Sequence, residues 1–193
     1  MMSRRAARTA IVVVVAAAAS LVASGCGNKQ AIVTSATTEG VWIDAGPLEY
    51  HIQASRLLEP GEIPDYAYLK GLPPGSTQPT GKEVWFGVFL RIENNSKRSA
   101  PTAKQFEITD TQGTTFSPYA INTSINPFAY QPTVLQPGKV VPVPDSPQDF
   151  DSVSGALLLF KIPLANYQNR PLEFKVHSAD GSPPAEASVD LDV

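Results

Sequence analysis

Leu48, Tyr50, Ile52 and Ala54 alternate with Glu49, His51, Gln53 and Ser55 along the run LEYHIQASRLL. A repeat of two places every second side chain on one face, so this run predicts a strand with one dry side. EVWFGVFLRIENNS is a stronger strand signal. Val84, Phe86, Val88, Leu90 and Ile92 face one way, and Trp85, Gly87, Phe89, Arg91 and Glu93 the other. The first half of that second face is apolar too. QFEITDTQGTTFSPY predicts a hairpin turning at Asp110-Thr111-Gln112-Gly113. TVLQPGKVVPVP holds a Pro-Gly turn and a Val-rich run whose prolines confine it to a sheet edge. GALLLFKIP and PLEFKVHSA predict two further strands separated by the polar LANYQNR, and EASVDLDV closes the chain with another alternating run. Phe86, Val88, Leu90 and Phe160, on the two most apolar strands, are expected at the centre of the core.

These runs give about seven or eight short strands with turn signals at the spacing of a sandwich. The predicted fold is all-β, an immunoglobulin-like antiparallel β-sandwich. Proline supports it: there are 18 in 193 residues, none before Pro47, and their spread breaks up any long helix. The length suits one domain with its own core.

The start of the chain has a different pattern. Arg4, Arg5 and Arg8 precede a run of apolar and small residues from Ala10 to Ala23. That run is short of the roughly 20 residues needed to cross a bilayer, and with its basic leader it reads as an export signal. Ser3-Arg4-Arg5 leaves both the general and the twin-arginine export routes open. Ala23-Ser24-Gly25-Cys26, which holds the sole cysteine, resembles the lipobox of bacterial lipoproteins. The resemblance implies that Cys26 receives a diacylglycerol and becomes the mature N-terminus, with palmitate-type acyl chains anchoring the protein to the membrane outside the cytoplasm. Gly27 stands where that family's best-known inner-membrane retention signal has Asp. The expected organisation is a signal peptide over 1–25, a flexible tether over 26–40 bearing the lipidated Cys26, and the sandwich over 41–193.

GVFLRIENNSKRSAP, FEITDTQGTTFSP, LQPGKVVPVP and GALLLFKIP follow one another in an order that resembles a small immunoglobulin-like domain of unknown function found on bacterial surface lipoproteins. The match spans Val84 to Val176, and the long segment Glu59 to Lys82 departs from the compact family pattern. The resemblance implies a fold and a cell-surface setting and supplies no catalytic residues.

Charge and chemistry narrow the function. After residue 25, twelve Lys and Arg stand against 18 Asp and Glu, a net charge of −6. That sign argues against nucleic acid and against binding anionic lipid through charge. His51, His177 and one cysteine cannot make a His/Cys zinc site. No G-x-S-x-G, Walker or dinucleotide loop occurs. The expectation is therefore a non-enzymatic protein without a cofactor. Asp145, Asp149 and Asp151 crowd one loop, either as calcium ligands or as solvated acids. Asn94-Asn95-Ser96 and Asn122-Thr123-Ser124 match the glycosylation sequon, with no default meaning in a bacterial lipoprotein.

The segment 59–82 is longer than ordinary connections and carries Tyr66, Tyr68 and Leu69. A second connection carries Tyr119, Phe128 and Tyr130. These rings either cover the second apolar face, made by Trp85 and Phe89, or form a contact site in which Tyr66 and Tyr68 meet an envelope protein or glycan. The functional expectation is contact with such a partner. The alternatives are a ligand-capturing accessory lipoprotein of a transporter, or an envelope enzyme.

Overall fold

The computed structural model describes residues 31–76 and 79–192; Cys26 and the predicted signal lie outside them. The chain runs through β1 (Ser35–Ala36), β2 (Trp42–Ala45), β3 (Leu48–Leu58), α1 (Asp65–Tyr68), β4 (Glu83–Glu93), β5 (Ala100–Pro101), β6 (Gln105–Thr109), β7 (Thr115–Phe116), β8 (Val134–Leu135), β9 (Val140–Val141), α2 (Pro147–Phe150), β10 (Ala156–Pro163), α3 (Leu164–Tyr167), β11 (Leu172–His177) and β12 (Glu186–Leu191). Seven strands have four residues or more; six are the runs that the sequence marks, and β2, paired with the first half of β3, is the one the sequence reading missed.

One sheet has the order β10-β4-β3-β2, with β9 pairing the last residues of β4. The other has the order β1-β12-β11-β6-β7, and β5 with β8 forms a short separate ribbon. The chain changes sheets between β4 and β6 and again between β10 and β11. β4 pairs with β10 while β6 pairs with β11. That is the Greek-key connectivity of an immunoglobulin-like sandwich. One pairing departs from the wholly antiparallel expectation: β1 runs parallel to β12, with Ser35 opposite Ser188.

The space between the sheets holds the main core. Phe86, Val88, Leu90 and Ile92 meet Phe106, Ile108, Phe174 and Val176, and Phe160 packs edge-on against Phe174. Each large apolar side chain fully buried in this way contributes about 1.5–3 kcal/mol. Phe86, Val88, Leu90 and Phe160 are all fully buried, as their strands require.

Two local readings change. The alternation of β3 breaks at a bulge between Ile52 and Ala54. One extra residue reverses the facing of everything after it. Ala54 therefore pairs with Phe89 and leaves the face of Leu48, Tyr50 and Ile52, whereas Leu57 pairs with Phe86 and Leu58 with Trp85. The expected tether also ends early. Val33 exchanges hydrogen bonds with Asp44, its N–H donating to the carboxylate and its C=O accepting from the Asp44 N–H. The Ser188 N–H donates to the Thr34 C=O, and the Gly40 N–H donates to the Ile52 C=O. The Glu39 carboxylate accepts from the Ser55 N–H and hydroxyl on one sheet and from the Asp192 N–H beside the other. Burial raises the Glu39 carboxyl above the usual range. Residues 33–40 are thus part of the sandwich.

Candidate functional site

The outer face of β4 and β10 is as dry as the inner one. Trp85, Phe89, Leu157, Leu159 and Leu58 form a second core there with Tyr68 and Leu69. Gly87 stands between Trp85 and Phe89 on this face. A Cβ at Gly87 would lie 3.1 Å from both Leu58 and Leu157, so its absence lets these two leucines close over the strand.

Two connections cover this core. The segment after β3 supplies Tyr68 and Leu69, and the segment between β7 and β8 supplies Tyr119, Ile121 and Phe128. The second segment runs along the free edge of β10. The Tyr119 N–H donates to the Leu159 C=O, the Tyr130 N–H to the Leu157 C=O, and the Leu157 N–H to the Phe128 C=O. Rings meet edge-on: Tyr68 on Phe89 at 5.0 Å, Tyr68 on Phe128 at 5.2 Å, and Trp85 on Tyr119 at 5.2 Å. Such geometry suits the aromatic quadrupole.

Asn126 joins the two segments. It is fully buried. Its amide nitrogen donates to the Tyr68 C=O at 2.7 Å and the Lys70 C=O at 3.0 Å, and its oxygen accepts from the Phe128 N–H at 2.9 Å. Arg56 fixes the near end of the cover. Its guanidinium forks onto Asp65, whose carboxylate also accepts from the Glu59 N–H. Burial pushes the Asp65 carboxyl up, but Arg56 and that N–H outweigh it and hold it below the usual range. The Tyr68 hydroxyl donates to Asp151, and burial with that neighbouring carboxylate pushes the phenol up to about 12.

The two tyrosines singled out from the sequence therefore part company. Tyr68 is 0% exposed and belongs to the cover, which removes it as a contact residue. Tyr66 is 61% exposed, with Lys70 Nζ 5.3 Å from its ring centre. Ile63 on the same segment is 93% exposed, and Ile125, packed near Gly71 on the other segment, is 58% exposed. Two open clefts of about 370 Å³ lie beside residues 129–132. Phe106, Tyr119, Ile121, Tyr130 and Lys104 line one; Thr123, Gln131, Thr133, Val143 and Gln148 line the other.

The remaining candidates are spent on structure. Asp149 accepts from the Asp145 N–H and the Ser154 hydroxyl and lies 3.8 Å from Arg91, while Asp151 accepts from Tyr68 and the Ser152 N–H. Among the described residues, no group of three His, Cys, Asp or Glu is placed to hold a metal ion. His51 lies against Trp42, and His177 lies near Glu107 and Glu186, far from each other in the register of the sheets. Asn94 of the first sequon is fully buried, donating to the Arg98 and Leu135 C=O groups. Of the residues that tie the loops down, the sequence marked Asn94 only as part of a sequon and did not mark Asn126.

No family model and no curated protein matches this chain. Solved structures resemble it in fold. The yjhA protein of Bacillus subtilis is 11% identical, with a TM-score of 0.47, over 81% of this chain and 99% of that one. The ycdA protein of Bacillus subtilis subsp. subtilis str. 168, provisionally designated a lipoprotein, is 10% identical, with a TM-score of 0.48, over 78% of this chain and 38% of that one. An uncharacterised β-sandwich protein of Clostridium difficile 630 is 11% identical, with a TM-score of 0.43, over 86% and 99%.

Proposed function

We propose that this protein is a lipid-anchored lipoprotein of the bacterial envelope whose immunoglobulin-like domain makes non-enzymatic contact with a protein or glycan. The anchor rests on the lipobox-like stretch ending at Cys26. The contact surface rests on one observation: the cover over the second core presents Ile63, Tyr66 and Ile125 to solvent, whereas Tyr68 is buried and Tyr119 and Phe128 are half-buried. Exposed apolar side chains on a hydrogen-bonded cover suit recognition. The clefts beside residues 129–132 are open, and their linings are mainly apolar or neutral side chains. A ligand-capturing or catalytic site would call for an enclosed pocket with convergent polar groups.

Photo-crosslinking amino acids at Tyr66 and Ile125 in intact cells test the reading, with Glu186 on the opposite sheet as the control. Discrete adducts from the two cover positions are expected. Adducts of equal yield from Glu186, or none from the cover, would remove this surface as the contact site.

A further inference from the structure

We draw no further inference here: the strongest candidate, the open apolar clefts that flank the segment between β7 and β8, is a surface without a partner, and nothing in the structure shows what covers it.

Discussion

Replacing Asn126 with Ala probes the device that joins the two covering segments. The substitution deletes three hydrogen bonds and leaves the Tyr68 C=O, the Lys70 C=O and the Phe128 N–H without their partner. A typical bond contributes about 1 kcal/mol net, and a buried group left unpaired costs more. The expected loss is about 2–4 kcal/mol, allowing for water reaching the carbonyls. For a domain of this size that lowers the melting temperature by about 5–12 °C. Thermal unfolding of the purified leaderless chain measures it, and an apolar-surface dye reports whether Trp85 and Phe89 become accessible below the transition. Tyr66→Ala is the control and should do neither, since Tyr66 is exposed. An Asn126→Ala variant with wild-type melting and no added dye binding would refute the claim that Asn126 holds the cover.

Phe86→Ala should cost about 3–5 kcal/mol in denaturant unfolding, because the ring is fully buried between the sheets. A chain beginning at Val41 should melt below one beginning at Ile32, since it lacks the Glu39 bridge and the pairing of β1 with β12; equal melting would return residues 33–40 to the tether. Asp110 accepts from the side chains of Asn169 and Asn166 and from the Thr114 and Gln112 N–H groups, which hold its carboxyl down at about 2. Its unfolded value is about 3.9, so its contribution is complete above that pH and is lost as pH falls through about 2. Asp110→Asn should flatten stability against pH between about 4 and 2, as read by urea unfolding at each pH.

The strands were legible because burial on a sheet writes a period of two, and β4 and β10 carry it with large side chains. The bulge in β3 was not, because Gln53-Ala54 has neither a glycine nor a proline to mark it, and only the pairing with Phe89 shows the change of face. Residues 33–40 are small and polar; they join the fold through Asp44, Glu39 and Asp192, contacts that leave no periodicity. The two alternatives for the tyrosine-bearing segment were both visible. Their division was not, since Tyr66 and Tyr68 are the same residue in the same run and differ only in what packs above β4.

The mass of the N-terminal peptide of the protein isolated from its native membranes bears most directly on the proposed anchor. A peptide beginning at Cys26 and carrying a diacylglycerol is the expected result. A mature N-terminus elsewhere, or a free thiol on Cys26, would contradict it.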